Sequence, residues 1–143
     1  MRFIAPETAL PEGTLVLDST RDVTRMAAEL SGSASHPAVA LQFTKWTDGR
    51  GYSQAVLLRA RLGYTGEIIA SGDVLADMLP LLRRCGFSSV QLRADQSVES
   101  AQRALDFFGG GHDHQDHQDH QYHHYQRSTL APAAVAAVAA VAA

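Results

Sequence analysis

Two stretches of the chain read alike, and the likeness limits what the chain can fold into. Arg61-Leu62-Gly63-Tyr64-Thr65-Gly66, followed by Ile68, matches Arg84-Cys85-Gly86-Phe87-Ser88-Ser89, followed by Val90, at an offset of 23 residues. Each copy reads helix end, glycine, aromatic, hydroxyl residue, strand. Glycine just past a helix supplies the left-handed conformation that closes its last turn. Such a corner returns the chain to begin a neighbouring parallel strand, and right-handed crossovers then make the whole sheet parallel.

The rest of the pattern extends this unit. Apolar runs at residues 15–17, 38–43, 67–70 and 89–92 predict strands, and residues 21–30, 53–62, 73–84 and 97–108 predict the helices between them. Asp18, Ser19 or Thr20 is available to cap the first helix. Pro80 is expected to kink the third helix or shift its start. The expected fold is α/β: four βα units with a parallel sheet, either half-barrel-like or a small open sheet. The body spans residues 14–108. A Pro-containing arm, residues 1–13, precedes it. A Gly/His-rich low-complexity segment, residues 109–128, and an Ala-rich tail, residues 129–143, follow.

Composition excludes several classes. A chain of 143 residues fits one domain. A net charge of −3 and a pI of about 6.1 argue against a nucleic-acid binder. No run of about 18 apolar residues suggests a membrane span, and the broken start, with Pro6 and Pro11, does not read as a signal peptide. One cysteine, Cys85, fits a reducing compartment, so a cytoplasmic location is expected. Its place at a helix C-terminus raises a thiol pKa, so it reads as inert and packed. A single cysteine also fails to hold an iron–sulfur cluster. No cofactor motif is identified: GxGxxG and GxxxxGK[ST] spacings are both missing.

Ligands of parallel sheets bind at the carboxyl ends of the strands. The loops expected there are 18–21, 44–53, 71–73 and 93–95. Three of the four carry an arginine and each carries an aspartate. The second loop is the richest, with Lys45, Trp46, Thr47, Asp48, Arg50, Tyr52 and Ser53. Gly49 and Gly51 flank Arg50 and are expected to let the backbone turn and present its guanidinium, a planar donor fork suited to carboxylate, phosphate or a sulfur oxyanion. A helix starting near Ser53 would add free N–H groups. The plainer reading pairs Arg50 with Asp48 or Asp73 in an ordered loop. Asp73 reads first as a helix cap, with a role facing Arg50 as the alternative. Arg93 and Asp95 complete the candidate rim. Arg59 and Arg61 read as a solvated helix face, with a docking patch for an acidic partner as the alternative. His36 reads as a surface residue, and no catalytic triad is placed.

Six of the seven histidines, His112, His114, His117, His120, His123 and His124, fall in one tract, in which Asp113, Asp116 and Asp119 each begin an Asp-His-Gln repeat. Imidazole binds zinc, nickel or copper, so loose metal binding is expected. A specific site would need a scaffold that this tract lacks. The tail APAAVAAVAAVAA is marginal as an isolated helix.

The pieces TDGRGYS, LLR, LGY-x-GE, GDVL-D, RCGF and LRAD occur in order between Thr47 and Asp95, after VALQFTKW. Together they resemble the bacterial family known as domain of unknown function 934. The resemblance covers residues 14–108 and the Tyr125-Gln126 ending. It departs from the family where the Gly/His tract expands the link before Tyr125 and where the alanine tail replaces the usual ending. Members are typically encoded beside the sulfite reductase haemoprotein subunit and carry the label of oxidoreductases in sulfite reduction. The resemblance therefore implies a role in sulfate assimilation, with the haemoprotein subunit or its electron donor as partner. The leading expectation is an accessory protein that binds that partner through the loop face. The alternatives are a small oxyanion-binding enzyme using Arg50 and Arg93, with Asp48 or Asp73 as the acid–base group, and a metal-handling protein acting through the histidine tract.

Overall fold

The computed structural model describes residues 1–30 and 36–109. The histidine tract and the alanine tail lie outside the described residues. The sheet among the described residues has five strands, all parallel, in the order β1-β5-β4-β3-β2. They are β1 (Arg2–Ile4), β2 (Thr14–Asp18), β3 (Ala38–Phe43), β4 (Glu67–Gly72) and β5 (Ser89–Gln91). The sheet is open, which decides between the two architectures that the sequence allows.

Alternation along the strands sorts residues onto two faces. On one face Val39, Leu41 and Phe43 of β3 join Ile68 and Ala70 of β4 and Val90 of β5. The helices cover this face. They are α1 (Ala27–Leu30), α2 (Arg50–Val56), α3 (Leu79–Arg84) and α4 (Val98–Gly109). A 3₁₀ turn, Val23–Met26, leads into α1, and another, Ala76–Met78, leads into α3. Val23, Leu30, Ala55, Leu58, Leu79, Leu82, Ala101 and Leu105 are buried beneath them.

The helix ends refine the sequence expectations. Asp22 caps the first helical segment by accepting from the Thr24 N–H, in place of Asp18, Ser19 or Thr20. Pro80 shifts a start: it sits in the first turn of α3, where its missing N–H leaves no bond unmade. Gly63 and Gly86 both take positive φ, +63° and +101°, at the repeated corners.

Arg59 does not lie on a solvated face. Past α2 the chain widens into a π-helical stretch, Leu57–Arg61, where the Leu62 N–H reaches back to the Leu57 carbonyl. From this stretch Arg59 donates to the carbonyls of Gly86 (3.0 Å), Tyr64 (2.8 Å) and Gly66 (2.7 Å). One guanidinium thus ties the two repeated corners together. Burial pushes its pKa down, and the Tyr64 ring packs 5.9 Å from it. Arg61 stays exposed as expected.

The arm is part of the sheet. Phe3 lies beside Val90 in parallel register, and Arg2 reaches Glu67 (2.7 Å) and Ser89 (3.3 Å). β1 and β2 stand at opposite edges, so residues 5–13 cross the face that the helices leave open. Four gaps between strands make about 19 Å, within reach of nine extended residues. Leu10 and Ile4 pack there on Ala38, Ala40 and Ile69. The Gln91 amide donates to the carbonyls of Ala5, Pro6 and Thr8 and pins the strap. Alanines at 38 and 40 keep that face low enough for a strand of backbone to lie on it.

Candidate functional site

At the carboxyl ends of the strands the chain builds a rim of paired charges. Its foundation is Phe43, the last residue of β3. The Phe43 carbonyl accepts the Asp73 N–H at 2.8 Å, and its ring meets Tyr52 edge-on at 5.3 Å between centroids. Gly51 lies against that ring. A Cβ there would come within 2.7 Å of it, so Gly51 serves close packing of α2 on β3. Gly49, with φ of −72° and open space around it, meets no such demand. The expectation that both glycines allow a tight turn is thus replaced by a packing role for Gly51.

Asp48 is the most heavily engaged carboxylate. It accepts from the Arg50 N–H (3.1 Å), from Arg50 Nε (3.0 Å) and Nη2 (2.9 Å), and from Ser19 Oγ (2.6 Å). Its side chain is only 12% exposed. The Arg50 guanidinium, then Ser19, hold its carboxyl well below the usual carboxylate range. Asp48 in turn raises the pKa of Arg50. The helix begins at Arg50 rather than near Ser53, and Asp48, two residues before it, accepts the Arg50 N–H. Arg50 therefore pairs with Asp48, not with Asp73.

Asp73 caps no helix. Gly72, at φ +88°, turns the chain so that Asp73 points across to the neighbouring loop. One oxygen accepts the Trp46 N–H at 2.9 Å and the other pairs with Arg93 at 2.6 Å. The Trp46 N–H, then Arg93, lower its pKa. Arg93 also forks onto Asp95, at 2.6 and 2.7 Å, and both carboxylates raise the pKa of the guanidinium. Arg93 likewise holds the Asp95 carboxyl down. The Arg93 N–H donates to the Val74 carbonyl, which closes the latch on the β4 side.

The ten predicted residues divide clearly. Asp48 with Arg50, and Asp73 with Arg93 and Asp95, form two ion-paired clusters. Lys45, Trp46, Thr47 and Ser53 are exposed, with Trp46 at 53%. Tyr52 is half-buried, packs on the core and has its phenol pushed up by burial. Cys85 is half-buried too, and burial pushes its thiol up, as expected of an inert cysteine. Two residues of the rim were not among the site candidates: Ser19, read only as a possible helix cap, and Gln54. Gln54, 7% exposed, donates from Nε2 to the carbonyls of Ser19 (2.9 Å) and Arg21 and joins the first two loops. A glutamine within a helix carries no sequence signal for such burial. Among the described residues no cluster of three or more His, Cys, Asp or Glu side chains is placed to hold a metal, and no helix is long and apolar enough to cross a membrane.

A family model described as a bacterial protein of unknown function, DUF934, matches residues 14–133, well over half of the chain. The chain belongs to the DUF934 family. In this DUF934 protein the motif TDGRGYS spans the Asp48–Arg50 pair and the Gly51–Phe43 contact, and LRAD carries the Arg93–Asp95 fork. LGY-x-GE and RCGF are the two corners clamped by Arg59. No curated protein and no solved structure matches the chain.

Proposed function

We propose that this DUF934 protein is a cytoplasmic accessory protein of assimilatory sulfite reduction, docking on the sulfite reductase haemoprotein subunit or its electron donor through the rim around Trp46. The sulfite connection rests on the resemblance to proteins encoded beside that reductase. The docking mode rests on one observation: Trp46 is half-exposed while its backbone is fixed by the Asp73–Arg93 pair. A pre-ordered tryptophan loses little freedom on binding, and tryptophan and arginine are the residue types that anchor interfaces. The forks of Arg50 and Arg93 are already filled by carboxylates, which favours a docking surface over an oxyanion-binding enzyme built on those two residues.

A pull-down of the reductase subunit and of its electron donor with the intact chain tests the reading. Capture is expected, with loss in Trp46→Ala combined with Arg50→Ala. Capture that is unchanged in the double variant would remove the rim from the account.

A further inference from the structure

Of the arginines at the carboxyl end of the sheet, Arg50 and Arg93 are consumed by carboxylates, but Arg21 has no ion pair among the described residues. Its backbone N–H binds the Asp18 carbonyl, and Asp18 is held ionised first by the Thr20 hydroxyl and N–H and only then by Arg21. Beside it Arg25 makes one loose contact with Asp22, at 3.7 Å, and its side chain is 88% exposed. Both line an open cavity of about 420 Å³ with Thr20, Asp22 and Met26.

Two further features make the cavity more than a dimple between side chains. Its wall is pinned from beneath. Gln54 Nε2 holds the carbonyls on either side of Thr20, those of Ser19 and Arg21. Reversing that amide would set oxygen against two carbonyl oxygens, so its orientation is fixed. Gln54 Oε1 is left buried without a donor, an unusual state for a polar atom in a folded chain. Asp22 on the wall and Asp18 beside Arg21 are also engaged. Asp18 accepts the Thr20 N–H and hydroxyl, and Asp22 accepts those of Thr24. The groups left to meet a ligand are the Arg21 guanidinium and that of Arg25, which Asp22 holds only at 3.7 Å.

We infer that the Arg21–Arg25 cavity is a binding site for a small molecule with a tetrahedral oxyanion head, a phosphate or sulfate group. Arginine presents parallel donors to two oxygens of such a head. Met26 offers an apolar wall to the remainder of the molecule. Asp22, on the same wall, opposes a second anionic group and limits the ligand to one head. The site adjoins the rim through Ser19 and Gln54, but it does not use Trp46 and does not depend on the docking reading.

Calorimetric titration of the intact chain with inorganic sulfate and inorganic phosphate, at ionic strength held constant with chloride, tests this. Saturable binding is expected, weakened about tenfold by Arg21→Gln and less by Arg25→Gln, with Arg83→Gln as an unaffected control. Gln54→Leu, checked for folding by its near-ultraviolet dichroism, is expected to weaken binding with both arginines in place. A response that does not saturate at tens of millimolar anion, or one that Arg21→Gln leaves unchanged, overturns the proposal. Equal loss in Arg83→Gln would mean diffuse charge attraction and overturns it as well.

Discussion

Single residues at the rim do work that their types alone do not announce. Gly51 is required by the ring beneath it, so Gly51→Ala is expected to destabilise the fold by about 1–3 kcal/mol through overpacking against Phe43, measured by urea unfolding. Gly49→Ala, with open space at its Cβ, is expected to cost less than about 0.5 kcal/mol in the same assay. Asp73 illustrates how a local rule is overridden. Ser-Gly-Asp before a helix reads as a cap, yet the positive φ of Gly72 swings Asp73 towards Trp46 and Arg93. Its pH dependence follows from its lowered pKa, and the sign is that of a depressed carboxyl: the contact is complete above the unfolded value of about 4 and is lost as pH falls through the lower folded value. Trp46 is the only tryptophan, so its emission reports the latch. Emission is expected to hold steady from pH 7 to about 4 and to shift only in stronger acid. In Asp73→Asn the altered emission is expected already at pH 7.

At the scale of elements, the repeated αβ corners were legible because glycine and an aromatic at fixed offsets leave little backbone choice. All four strands of the body follow from that pattern, and so do the helices between them, although the second starts earlier, at Arg50, and the third later, at Leu79. The clamp between the corners was not legible. An arginine on an amphipathic helix ordinarily faces water, and only the π-helical widening at residues 57–61 rotates Arg59 onto three carbonyls. Arg59→Ala is expected to lower stability by about 3 kcal/mol, because it leaves part-buried carbonyls without donors. Arg59→Lys is expected to recover only part of that loss, since an ammonium does not reproduce the fork. The charged pairs of the rim were half legible. Their residue types were all in the sequence, but which aspartate meets which arginine depends on loop directions that only the folded sheet sets.

For the whole molecule, the largest departure from the sequence reading is the arm. A three-residue strand followed by two prolines gives too short a signal to read as part of a sheet. In the structure it closes one edge and straps the face opposite the helices, through Leu10 and the Gln91 amide. Removing residues 1–10 is expected to cost roughly 3 kcal/mol or more from lost apolar burial and to raise binding of a hydrophobic dye to the bared Ala38, Ala40 and Ile69. The same five-stranded sheet is the platform that carries the rim at the carboxyl ends of its strands.

The central claim is that this platform presents Trp46 to a partner protein. Titration of the intact chain with purified sulfite reductase haemoprotein subunit and, in parallel, with its electron donor, followed by Trp46 emission and confirmed by calorimetry, tests it most directly. The account predicts a saturable change with one of the two, weakened at least tenfold in Asp73→Asn, where the tryptophan remains but its support is gone. No binding to either protein, or binding equally tight in Asp73→Asn and Trp46→Ala, would contradict it.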